Sequence, residues 1–202
     1  MEPREGGGCG IGNGQLKPED ATWWDHHELT FWLWAFMRNA SAYLQVSEAA
    51  QQAHAKIFKN DMSRWQDLKD HAQRLDHETM LAAYHFVTSM GVLIRVLKRA
   101  QRLFPAIQPP YSRARHLLKE GKEIRDMIEH AYGKDGYLAG GGRHRDKFVR
   151  RVAGVAADAT STIIKDDGHW LGNRLCVERT VEEVRAIREV ANTIDPPEPD
   201  DD

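Results

Sequence analysis

The segment Arg125-Asp126-Met127-Ile128-Glu129-His130 separates an arginine from a histidine by four residues, with a carboxylate directly after the arginine. Those residue types can cleave RNA without a metal. A fixed guanidinium meets the phosphate, and an imidazole, whose ordinary pKa lies near neutrality, moves the proton. The bare pattern is cheap, because chance alone supplies a few Arg–His pairs at four to six intervening residues in a chain of this composition. A second match is Arg64–His71, where Trp65 follows the arginine instead of a polar residue. Context therefore decides between them.

The spacing predicts a helix around the first pair. With Ile124 set at zero and about 100° per residue, Leu117, Ile128 and Ala131 form an apolar stripe. Arg125 falls at about 100° and His130 at about 240°, with Glu129 and Asp126 between them. Two readings follow. In one, Lys119, Lys122, Glu123, Arg125, Asp126, Glu129 and His130 are a solvated face. Pairs such as Lys122–Asp126 and Arg125–Glu129 would then contribute about 0.3–0.5 kcal/mol each. In the other, a two-fold partner covers this face and brings two Arg–His sets into one composite site.

Downstream, Gly140, Gly141 and Gly142 permit close approach of backbone to a phosphate. Arg143, His144, Arg145, Lys147, Arg150 and Arg151 follow as the densest basic cluster of the chain. Arg143, Arg145, Lys147, Arg150 and Arg151 are the candidate RNA-binding residues.

The elements that must position these groups are mostly helical. Residues 1–22 are Gly-rich and read as a disordered tail. Asp25 with Glu28 offers a capping box for a first helix from about His26 to Ile57. Its start is aromatic (Trp23, Trp24, Phe31, Trp32, Trp34, Phe36), and such rings are expected to fill a core or a subunit interface rather than to bind a ligand. A second helix carries Leu81, Phe86, Val87, Met90, Leu93, Ile94 and Leu97, reaches back toward a Ser63/Gln66 cap, and stops before Pro105. Pro109-Pro110 reads as a break, and Ser112 as the cap of a third helix running to about Tyr132, ended by Gly133 and Gly136. A loop fills 133–147. TSTIIKD and HWLGNRLCVE flank Asp167-Gly168 as a β-hairpin over 160–178. Thr180 with Glu183 caps a last helix from Val181 to about Ile194, and 196–202 form an acidic tail. The expected fold is mainly α: an antiparallel four-helix bundle over residues 23–195, with a small β-hairpin inserted before the last helix.

Bulk properties bound the function. The 202 residues make one domain, with 41% hydrophobic and 29% charged residues and a net charge of −2. That balance excludes a strongly basic nucleic-acid coat and leaves room for a local basic site. The two cysteines, Cys9 and Cys176, form no metal-type cluster and no disulfide framework. The longest apolar stretch, taken around Leu29–Met37, is too short for a membrane span, and no apolar signal core opens the chain. A cytoplasmic protein without a membrane segment is expected.

Other chemistries lack their motifs. Ten histidines raise metal binding, but neither HExxH nor repeated Glu-x-x-His pairs are present, so neither metal nor cofactor is expected. There is no Walker loop, no GxSxG and no dinucleotide fingerprint. Trp170 in the hairpin is expected to pack rather than stack on a base.

The segment EIRDMIEHAYGKDGYL, on the third of four helices, resembles the HEPN superfamily, whose members are helical bundles with an Arg-x4–6-His motif and a polar residue commonly after the arginine. Arg125, Asp126 and His130 match position by position; Arg64–His71 lacks the polar follower and is set aside. The likeness covers roughly 26–132 and the last helix, not the Gly-rich loop or the hairpin. It implies a homodimer with the site at its interface and metal-independent RNA cleavage. Arg125 would sit on the scissile phosphate, His130 would exchange a proton, and Asp126 would orient one of the two. The family includes toxins, each with a neutralising protein partner, and phage-defence effectors. It also includes noncatalytic modules that bind a protein partner or a nucleotide. A helical structural subunit with Arg125 and His130 as surface groups is the third reading.

Overall fold

The computed structural model describes residues 18–58, 64–131, 136–137, 145–152 and 154–196, with backbone alone at 18–21 and 145–146. Of the tail expected over 1–22, residues 1–17 lie outside the described residues and 18–22 are helical, while 197–202 and most of the Gly-rich loop also lie outside. The chain is mainly helical, with a small antiparallel strand region before the last helix. Its long helices are α1 (Pro18–Ile57), α2 (Trp65–Leu103), α3 (Gln108–Glu129) and α5 (Val177–Ala191), with a four-residue α4 at Arg145–Phe148.

Three boundaries differ from expectation for local reasons. Helix α1 begins at Pro18, so Asp25 and Glu28 lie inside it, and both pair with Arg99 of α2 instead of capping. Helix α3 begins at Gln108 and takes Pro109 and Pro110 into its first turn. First-turn N–H groups have no intrahelical partner, so proline starts this helix rather than breaking it. Helix α5 begins at Val177, because the Thr180 hydroxyl donates back to the Cys176 carbonyl (2.6 Å) and is unavailable as a cap.

Helix α1 packs on α2, α2 on α3, α3 on α5, and α5 on α1. The core between them holds Leu29, Leu33, Phe36, Tyr43, Phe86, Met90, Leu93, Leu97, Leu118, Ile124, Val184 and Ile187. The longest apolar stretch is in α2, not at Leu29–Met37. An 18-residue window there has mean hydropathy 1.5, enough by length and composition to cross a membrane. Half of that window is buried inside the protein, which is compatible with a soluble core helix.

The strand region is larger than one hairpin. Strands β1 (Val149–Val152) and β2 (Val155–Asp158) form one antiparallel pair, which was not anticipated because its VRRV and VAAD segments carry little alternation. Strands β3 (Thr162–Lys165), β4 (Gly168–Leu171) and β5 (Leu175–Cys176) form a second sheet in that order. The expected hairpin is present with its turn one residue earlier: Lys165 pairs with Gly168, which leaves Asp166-Asp167 at the tip. Gly168 has φ +123, a backbone conformation that favours glycine, and a Cβ there would also displace the Glu178 carboxylate. Glu178 accepts from the His169 amide (2.8 Å) and lies 2.6 Å from its Nδ1, which ties the hairpin to α5.

Candidate active site

The buried face of α3 is wider than the stripe read from the sequence. It includes Ala114, Leu118, Gly121 and Met127 beside Leu117 and Ile124. Leu118 extends that face to about 120° on the same wheel, past Arg125 at about 100°. Arg125 therefore leaves the solvated face and turns toward α2. Its side chain is only 17% exposed. It lies over Gly91 of α2, where an added Cβ would come 2.5 Å from Nη1. Arginine is carried into this trough because no side chain at position 91 fills it.

The guanidinium is held by two neighbours. Its Nε donates to Asp126 Oδ1 (3.1 Å), and Nη2 pairs with the same oxygen. Glu129 Oε2 lies 3.5 Å from Nε, and Glu129 Oε1 accepts from the Tyr84 hydroxyl of α2 (3.2 Å). Lys122 Nζ binds the other Asp126 oxygen at 2.5 Å. Burial opposes ionisation of Asp126, but the hydrogen bonds from Lys122 and Arg125, then their charges, outweigh it and hold the carboxyl below its ordinary range. The surface pairs anticipated for this helix both exist, and they balance two cations with two carboxylates.

His130 stands at the end of the same helix in a different setting. It is the C-cap residue, with φ −108 and ψ 21, and its side chain is exposed. Its amide donates to the Asp126 carbonyl (3.1 Å) and its carbonyl accepts from the Tyr137 amide (3.0 Å). The chain thus presents the imidazole to solvent and the guanidinium in a trough, at the same end of α3.

The predicted basic cluster is divided. Arg143 lies outside the described residues, and Arg145 is described only as backbone in α4. Lys147, Arg150 and Arg151 are exposed. Arg150 and Arg151 are neighbours on β1, so their side chains take opposite faces of the strand. Arg150 reaches toward Glu120 of α3 (3.9 Å), and Arg151 accordingly points away.

A cation the sequence reading missed completes the α3 side. Arg174, in the turn between β4 and β5, is 12% exposed, donates Nη2 to the Lys147 carbonyl, and lies 3.8 Å from Glu120. Its Nε is buried with no partner among the described residues. With Lys147, Tyr137, Glu123 and Met127 it lines a cavity of about 410 Å³. Of these lining residues, Tyr137 donates its amide to the His130 carbonyl (3.0 Å), and His130 itself is not part of the lining. The only sequence signal for Arg174 was its place in a Gly-Asn-Arg turn, which carries no chemistry of its own.

A second cavity, of about 440 Å³, lies between α1, α2 and the β3 edge. His54 Nε2 stands 3.0 Å from each Asp76 oxygen there, among Ser47, Thr79, Thr160 and Thr162. It offers a proton acceptor and hydroxyls but no Lys or Arg in its lining, so it lacks the cation a phosphodiester requires. Among the described residues, no three His, Cys, Asp or Glu side chains gather as a metal site. No family model matches the chain, and no curated protein and no solved structure matches it either.

Proposed function

We propose that this chain is a HEPN-like antiparallel four-helix bundle that acts as a homodimeric, metal-independent endoribonuclease. The ring of contacts from α1 through α2, α3 and α5 back to α1 supports the bundle. The observation that carries the activity is the seating of Arg125. Asp126 orients it and Gly91 gives it room, at the helix end where His130 is exposed.

In the composite site, Arg125 meets the scissile phosphate and stabilises the charge that develops on its oxygens. His130 takes the proton from the 2′-hydroxyl or gives one to the leaving 5′-oxygen, and the partner protomer supplies a second set. The 2′-oxygen displaces the 5′-oxygen, which leaves a 2′,3′-cyclic phosphate and a 5′-hydroxyl. The cavity with Lys147 and Arg174 receives the adjacent phosphate, and Arg150 continues the track. A cytoplasmic toxin or phage-defence effector, restrained by a neutralising protein partner, is the setting that fits such chemistry.

A second reading is a noncatalytic HEPN-like module that binds a protein or a nucleotide. One observation favours it: Asp126 and Glu129 already balance the charge of Arg125 within the protomer. Purified protein incubated with RNA in EDTA separates the two. Cleavage to cyclic-phosphate ends that disappears in Arg125→Ala and in His130→Ala supports the nuclease. Cleavage that survives both substitutions, or none by the unaltered chain, removes it.

A further inference from the structure

Helix α1 has two apolar faces in its N-terminal half, and only one meets the core. Leu29, Leu33, Phe36, Ala40 and Tyr43 are buried against α2 and α5. On the opposite side, centred about 180° away at 100° per residue, lie Trp24, His27, Phe31, Trp34 and Arg38. Trp24 is 53% exposed, Phe31 50% and Trp34 47%. Steps of three, four, three and four are the a/d spacing of a helix that packs lengthwise on another helix. Large rings at that spacing, left half open, mark a docking face rather than scattered surface residues.

We propose that the occupant is the same face of a second copy, crossing antiparallel about Phe31. Charge selects this occupant. At one end, Asp25 and Glu28 share the single cation Arg99, which leaves one net negative charge. At the other end, Arg38 lies over the Trp34 ring at 5.4 Å and has no carboxylate partner among the described residues. A cavity of about 340 Å³, lined by Trp24, Asp25, His27, Glu28, Phe31 and Arg99, opens at the acidic end. Antiparallel pairing sets Phe31 on Phe31 and brings each Arg38 to the Trp24 of the other copy, beside those carboxylates. Both charge match and cation–π contact result. Parallel pairing would instead set Arg38 against Arg38. The rings alone would cover roughly 600 Å², the scale of a reversible, concentration-dependent contact.

This contact is separate from the one a composite Arg125/His130 site requires, since α1 and α3 each pack on α2 and α5. Its test is mass in solution and stands whether or not the chain cleaves RNA. Light scattering over a wide concentration range should show the mass of the unaltered chain rising with concentration and that of Phe31→Glu staying below it, with the same circular dichroism and melting temperature. Arg38→Glu should weaken association roughly tenfold. On a Cys9→Ser background, Phe31→Cys should cross-link to itself on oxidation and Trp24→Cys should not. Mass unchanged by Phe31→Glu, equal self-cross-linking at both positions, or Phe31-dependent binding to neutral lipid vesicles by a chain whose mass never changes, overturns the proposal.

Discussion

The guanidinium of Arg125 occupies the space that a side chain at Gly91 would fill, with an added Cβ 2.5 Å from Nη1. Position 91 therefore controls Arg125 from another helix. Gly91→Ala should push the guanidinium out of the trough, at little cost because only the end of a flexible side chain moves. Alanine is also the better helix former by about 1 kcal/mol. The expected result is a melting temperature equal to or above that of the unaltered chain, with RNA cleavage reduced at least tenfold. Full activity with an unchanged fold would show that this seat of Arg125 does not matter.

Gly121 is the opposite case at the same interface. An added Cβ there overlaps Met90 Sδ, and Met90 is fully buried. Helices α2 and α3 approach closely at this point, and the extra methyl has no free side-chain end to displace into solvent. Gly121→Ala should destabilise the fold by about 1–3 kcal/mol, measured by urea unfolding. The pair of glycines thus gives a control: one substitution acts on the site, the other on the packing that supports it.

These two glycines also mark where the sequence stopped being legible. The helices and the β3–β4 hairpin follow from apolar periodicity and turn residues, because those patterns report burial directly. The partial burial of Arg125 does not, because it depends on a residue without a side chain on a different helix. Pro109 and Pro110 were misread as a break since their meaning reverses in a first helical turn. Arg174 was missed because its value comes from the fold, which sets a turn between β4 and β5 against α3. The aromatic start of α1 was assigned to core or interface, and the structure divides it: Phe36 is buried, while Trp24, Phe31 and Trp34 are half open.

The cations on the Arg174 side of α3 should separate by salt dependence. Lys147 and Arg150 are exposed, so neutralising either leaves the fold intact. Lys147→Gln and Arg150→Gln should each lower the slope of log binding constant against log salt by about 0.7 for single-stranded RNA. Arg151→Gln should change it less, as that side chain faces away from α3. Equal slopes for all three would mean that RNA does not follow this cavity.

Tyr43 provides a test of the fold at alkaline pH. Its hydroxyl donates to Thr162 Oγ1 (3.0 Å) and joins α1 to β3. Burial, partly offset by hydrogen bonds with Thr162 and Ser47, pushes its pKa up from 10.0 to about 12. A raised folded-state pKa means that the folded chain holds the proton more tightly than the unfolded chain does. The associated stability is fully present below pH 10 and is lost as pH rises through about 12. The loss amounts to roughly 2–3 kcal/mol over that window. Urea unfolding from pH 9 to 12 should show it, and Tyr43→Phe should remove most of the decline while losing the Thr162 bond at every pH. An identical decline in Tyr43→Phe would assign the alkaline transition to another group and leave the α1–β3 junction without this proton-linked contribution.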